Sequence, residues 1–178
     1  KCPCVGRTGA QASAAQSGHG VGVGRRGDAA FKGTIRAVLL VENLGAWRDL
    51  PALPGWLLAH VPGWDTATVG HLLGRVSGTP VVHFGDIDPN GVRIMLHLRR
   101  RAPDLKWFLP EFWFELADVC GLRATWPQDL NLEFAPAPVR ELAARGLWLE
   151  QERIVFDPRV DDALEMVLAT ESPGEPSQ

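Results

Sequence analysis

Residues 81–94 read VVHFGDIDPNGVRI. Val81, Val82, His83 and Phe84 are residues of strand type, and Gly85 closes the run. Two carboxylates follow at alternate positions, Asp86 and Asp88. Pro89, Asn90 and Gly91 come next, and an apolar-periodic stretch opens at Val92. The pattern predicts a buried strand, a tight turn and a helix directly behind it. Asp88 suits the N-cap, and Pro89 suits the first helical position, where a missing N–H costs nothing. Two acids at the carboxyl end of a strand concentrate like charge, and a divalent cation relieves it.

Two blander interpretations compete. DIDPNG fits the first six positions of a calcium-binding loop, but the twelfth position is His97 rather than Glu, and a strand rather than a helix leads in. The other is an Asp-rich turn that does no more than cap the helix.

Working outward, residues 35–41 (IRAVLLV) form an almost unbroken apolar run, as a central strand of a parallel sheet requires. Glu42 ends it, at the rim where α/β proteins keep their chemistry. Residues 44–53 predict a short helix limited by Pro51 and Pro54, and residues 56–61 a second strand. Asp65 or Thr66 can cap a helix to residue 76, with Val69, Leu72, Leu73 and Val76 on one face. The helix over 89–101 puts Val92, Met95 and Leu96 on one side. Arg93, His97 and Arg100 share the other, three and four residues apart. That cationic face is either solvated or a set of phosphate contacts. Residues 105–109 predict a further strand. Alternating strands and helices point to an α/β fold: a mostly parallel sheet of about four strands, with helices on both faces.

Beyond Pro110 the pattern weakens. Phe112, Trp113, Phe114 and Trp126 supply apolar bulk suited to a core. Residues 139–145 are helical and stop at Gly146. Glu150 and Glu152 are open to two readings, auxiliary acids of the site or a solvated helix face, with the second favoured. Residues 160–169 predict a terminal helix.

The chain has 178 residues, 46% apolar and 22% charged. That is enough for one globular domain with a sizeable core. The expected organisation is a flexible segment over 1–30, a folded domain over 31–169 and a disordered tail over 170–178. The stretch GHGVGVGRRG has glycines but no preceding strand, so it does not read as a phosphate loop. With a net charge of −3, any nucleic-acid footprint must be local. No apolar run is long enough for a membrane span. Cys2, Cys4 and Cys120 form neither a closed disulfide framework nor a zinc set, which favours a reducing cytoplasm.

Glu42 after one strand, with Asp86 and Asp88 after another, can meet at one sheet rim if the strands are neighbours. Three carboxylates there can hold Mg²⁺ or Mn²⁺, and Glu42 can act as general acid or base.

At these residues the sequence resembles the Toprim domains of topoisomerase VI A subunits, primases and related nucleases, which carry a Glu after the first strand and a D-x-D after a later one. VLLVEN (38–43) and FGDIDPNGVRI (84–94) carry the likeness. GDIDPNG and LWLEQERI (147–154) narrow it to the C-terminal domain of JetD, the nuclease family of Wadjet anti-plasmid systems. The resemblance spans roughly residues 34–168. It implies a Toprim-like fold and a Mg²⁺-dependent DNA endonuclease, with Glu42, Asp86 and Asp88 as catalytic residues and metal ligands. Arg93, His97 and Arg100 would contact DNA phosphates. Implied partners are plasmid DNA, an SMC-type motor complex and possible self-association as a homodimer. Topoisomerase relatives attack phosphate with a Tyr from another domain, and this chain has none, so hydrolysis by water is preferred. Two alternatives stay open: a topoisomerase- or primase-like enzyme needing a partner chain, and an inactive α/β interaction domain.

Overall fold

The structure is a computed structural model that describes residues 35–64, 67–76 and 78–170. Four strands form one parallel sheet: β1 (Ala37–Val41), β2 (Trp56–His60), β3 (Val81–Phe84) and β4 (Lys106–Trp107), in the order β2-β1-β3-β4. All five β1 residues are buried. Successive strand side chains point to opposite faces, so both faces of the sheet are covered at its centre. The helices between strands supply that cover: α1 (Leu44–Asp49), α2 (Ala67–Arg75) and α3 (Pro89–Arg99). The predicted parallel α/β architecture is therefore the observed one, of the Toprim- or Rossmann-like kind.

The strand order matters for function. From β1 the chain steps one way, to β2. From β3 it steps the other way, to β4. The carboxyl ends of β1 and β3 thus flank the point where the winding reverses, the place where open α/β sheets leave a crevice. In register, Val41 lies beside Phe84, so the residues following each strand emerge side by side.

Several expectations shift at the edges. The strand expected over 105–109 shrinks to Lys106–Trp107. The Leu105 N–H turns back onto the Ala102 carbonyl, and Pro110 has no N–H to extend the ladder. The apolar stretch after Pro110 is a helix, α4 (Phe112–Cys120), burying Phe112, Trp113, Leu116, Ala117 and Cys120. Its Trp113 packs with Phe84 and Phe108, ring centroids 5.3–5.5 Å apart, locking α4 onto the sheet. Trp126 is half-buried and donates its indole N–H to the Leu147 carbonyl at 3.0 Å.

The last third adds α5 (Ala137–Ala144) and α6 (Arg159–Thr170), with a small antiparallel pair, β5 (Leu122–Arg123) and β6 (Leu147–Trp148). Gly146, at φ +63°, turns the chain from α5 into β6. Among the described residues no helix is long and apolar enough to cross a membrane. The segment over 1–30, Arg25, Arg26, Cys2, Cys4, the Asp65 or Thr66 cap and the tail from 171 lie outside the described residues.

Candidate active site

Glu42 leaves β1 with its N–H bonded to the Phe84 carbonyl at 3.0 Å, which fixes it against the end of β3. Its side chain is only 12% exposed. One carboxylate oxygen, Oε2, is buried and has no hydrogen-bond partner. The nearest basic group is His83, fully buried on β3, with Nε2 3.6 Å from that oxygen. Both His83 ring nitrogens lack hydrogen-bond partners. Gly85 makes this proximity possible. A Cβ there would lie 2.6 Å from Glu42 Oε2 and closer still to His83 Nε2.

Asp86 and Asp88 sit on the turn between β3 and α3. Asp88 is the N-cap, in extended conformation, with Oδ1 accepting from the Gly91 N–H at 2.6 Å. The capping role is therefore real. It does not exclude a second one, because Asp88 is still pushed above the usual carboxylate range. Burial is the main cause, and the charges of Glu42 and Glu150 add to it. Asp86 is perturbed further, to about 7. Burial again leads, outweighing the bond from the Gln151 N–H, and Glu42, Asp88 and Glu152 each raise it further. The acids from two strands thus feel one another across the switch point.

A third wall arrives from far along the chain. After β6, Leu149 and Ile87 exchange backbone hydrogen bonds of 2.9 and 3.1 Å, forming an antiparallel bridge. This lays the 3-10 turn Gln151–Arg153 against the acids. Gln151 is fully buried. Its N–H donates to Asp86 Oδ1 at 2.7 Å, its Nε2 to the Phe84 carbonyl at 2.8 Å, and its Oε1 accepts the Asn43 N–H at 2.9 Å. The Gln151 side chain thereby ties the ends of β1 and β3 together, and its backbone N–H orients Asp86. Asn43 caps α1 through Oδ1, which accepts from Gly45 and Ala46, and its Nδ2 donates to Glu152.

Of the solvated-helix reading favoured for Glu150 and Glu152, the helix is corrected to another conformation, while Glu152 is exposed and the Glu150 side chain is 44% exposed. The segment is a strand end and a 3-10 turn, and both carboxylates raise the Asp pair. Glu150 also pairs with Arg153 at 3.0 Å. Sequence reading missed Gln151, Asn43 and His83. The glutamine's role depends on partners 67 and 108 residues away, which no local pattern encodes. Asn43, directly before a predicted helix, did carry a legible N-cap signal.

Arg93, His97 and Arg100 lie along α3 and its C-cap, and with Trp64 and Leu96 they line a cavity of about 200 Å³. They stand beside the acid cluster rather than in it.

A divalent cation is tested by the donor chemistry. Among the described residues no group of three or more His, Cys, Asp or Glu is arranged to hold a metal as it stands. The donors themselves fit a hard cation: all are carboxylate oxygens, one is buried without a partner, and two acids are held above their usual range by burial and by neighbouring carboxylate charge.

Replacing Gln151 with Leu leaves the part-buried Asn43 N–H without its partner and strips the Phe84 carbonyl of one of its two donors, the Glu42 N–H remaining. At roughly 1–3 kcal/mol for the orphaned group, the expected loss is about 2 kcal/mol, read by urea denaturation. A midpoint matching the parent would show that Gln151 does not hold the strand ends.

No curated protein matches the chain. The family described as "Wadjet protein JetD, C-terminal" matches residues 26–110, a span that holds the sheet, Glu42, Asp86 and Asp88 but ends before Gln151. Over those residues the chain is similar to the C-terminal part of the Wadjet protein JetD.

Proposed function

We propose that this chain carries a metal-dependent DNA endonuclease domain of a Wadjet-type plasmid-defence system, hydrolysing phosphodiester bonds. The observation that carries the reading is the placement of Glu42 and of Asp86 with Asp88 after two adjacent parallel strands, where burial first and the neighbouring carboxylates second hold each Asp above its usual range. The similarity to JetD supports the Wadjet setting. Plasmid DNA, delivered by an SMC-type motor complex, is the substrate this reading implies, and a homodimer would present two such sites.

Asp86, Asp88 and Glu42 would hold Mg²⁺ or Mn²⁺, which when bound neutralises phosphate charge and acidifies an attacking water. The Gln151 N–H keeps one oxygen of Asp86 fixed, leaving the other for the cation. Glu42 takes a proton at Oε2, where no hydrogen bond competes. The water oxygen bonds to phosphorus as its proton passes to Glu42, the bond to one sugar oxygen breaks, and that oxygen leaves as an alkoxide that takes a proton from solvent. Arg93, His97 and Arg100 bind flanking phosphates.

Supercoiled plasmid incubated with the chain and Mg²⁺ or Mn²⁺ should be nicked or linearised. Glu42→Ala and Asp88→Ala should each abolish cleavage while the circular-dichroism spectrum stays folded. Cleavage retained in either variant would overturn the assignment. A covalent protein–DNA adduct would instead favour a topoisomerase-like enzyme with a partner chain. Arg93→Ala with Arg100→Ala should weaken DNA binding and flatten the slope of log K against log salt by about 2, one unit for each lost phosphate contact.

A further inference from the structure

The cavity beside α3 contains a residue that phosphate binding does not use. Trp64 follows β2, at the same end of the sheet as Glu42, and is 56% exposed. Its ring meets that of His97 edge-on, centroids 6.3 Å apart and planes at 67°. An edge-to-face contact steadies an aromatic ring, and here it leaves more than half of the indole uncovered. Arg93 and Arg100 stand in the same cavity, and Leu96 is its one aliphatic wall.

The chemistry of that lining selects an occupant. An apolar partner surface would meet two guanidinium groups and pay for burying them. An isolated anion would have no use for the indole. A nucleotide satisfies both, with a flat base for the aromatic and phosphates for the arginines. At about 200 Å³ the cavity falls below the roughly 300 Å³ at which drug-sized pockets begin, so it suits a single base rather than a larger ligand. His97 lies nine residues beyond the Asp88 cap, roughly 13 Å along the helix axis at 1.5 Å per residue. A base held there would lie within a few nucleotides of the acids.

A base inside a duplex shows only its edge to a protein, because both its faces are stacked. We propose that Trp64 stacks on an unpaired base of the DNA strand while Arg93 and Arg100 hold the adjoining phosphates, so that the domain engages DNA whose strands are locally opened. This deepens the nuclease reading and rests on it for the identity of the ligand as DNA.

The test is equilibrium binding of the whole chain, in EDTA, to a fluorescein-labelled oligonucleotide and to the same sequence as a duplex. The parent should prefer the single strand. Trp64→Ala should weaken single-strand binding roughly 10-fold, within the range for one lost base–aromatic stack, and leave duplex binding nearly unchanged. Trp64→Phe, which keeps a ring, should recover most of the affinity. Because the indole is exposed, both variants should melt with the parent, and a melt confirms that each is folded. Equal single-strand binding by parent and Trp64→Ala overturns the proposal, as does failure of the parent to bind either DNA. Plasmid cleavage with Mg²⁺ is read separately. Cleavage without a Trp64 effect on binding removes the base site and keeps the nuclease. A Trp64-dependent single-strand preference without cleavage removes the nuclease and keeps the base site.

Discussion

Asp86→Asn should raise the melting temperature in metal-free buffer at pH 8 while destroying cleavage. The carboxyl of Asp86 sits at about 7 in the folded chain against 3.8 unperturbed, chiefly through burial. Because the folded value is the higher one, the native state keeps its proton from about pH 4 to about pH 7, where the unfolded chain has released it. The unfolded state binds fewer protons across that window, so stability falls as pH rises through it and levels off above. Asn has the same shape, still accepts the Gln151 N–H and carries no charge. At 1.36 kcal/mol per pKa unit, trimmed for water reaching the rim, the relief is on the order of 3 kcal/mol. For a chain of this size that is a rise of about 5–10 °C. The parent should also lose stability from pH 5 to pH 8 without metal, and Mg²⁺ should restore more at pH 8, where Asp86 is ionised. In Asp86→Asn both the pH slope and the Mg²⁺ effect should shrink sharply. Differential scanning calorimetry at the two pH values checks this, and a variant that melts lower than the parent at pH 8 would contradict it.

Gly91→Ala should do the opposite, costing stability and activity together. Gly91 lies in the first turn of α3, buried under the turn that carries the acids. A Cβ there would overlap the backbone carbonyl oxygen and carbon of Asp86 and come within 3.5 Å of Asp88 Oδ1. Both collisions at Asp86 are with backbone, so no side-chain rotation relieves them. Either the helix start or the turn must move, and the Gly91 N–H that Asp88 caps moves with it. Overpacking at such a site costs about 3 kcal/mol or more, a fall in Tm on the order of 10 °C. Gly74, also helical, has nothing within 4 Å of the position its Cβ would take, so Gly74→Ala is the control. It should be neutral or mildly stabilising. A Gly91→Ala protein that melts and cleaves like the parent would mean the turn has slack that the close approach denies.

How much of this could be read before the fold was known depends on range. The apolar run ending at Val41 and the strand–turn–helix over 81–94 have strong periodicity and turn chemistry, and both stand where the pattern puts them. The adjacency of β1 and β3 was a topological inference, and it holds. The small pair β5–β6 was illegible, because two residues per strand are too few to display alternation. The α4 helix was readable as apolar mass but not as a helix, since nearly every position is apolar and the periodicity is drowned. Glu150 and Glu152 looked like solvated charge because alternating acids in a polar run such as EQER usually are. The Ile87–Leu149 bridge, between residues 62 apart in sequence, and the Gln151 bonds beside it bring them to the site.

That bridge governs when the site can exist. A nascent chain that has emerged only as far as β4 already holds every strand of the parallel sheet, yet Asp86 lacks the Gln151 N–H and the ends of β1 and β3 lack their tie. Contacts that span so much chain close late and slowly, since the entropy of a long loop is lost before any contact rewards it. During synthesis the acids therefore stand unbraced until residues 149–151 are released and can close onto β3.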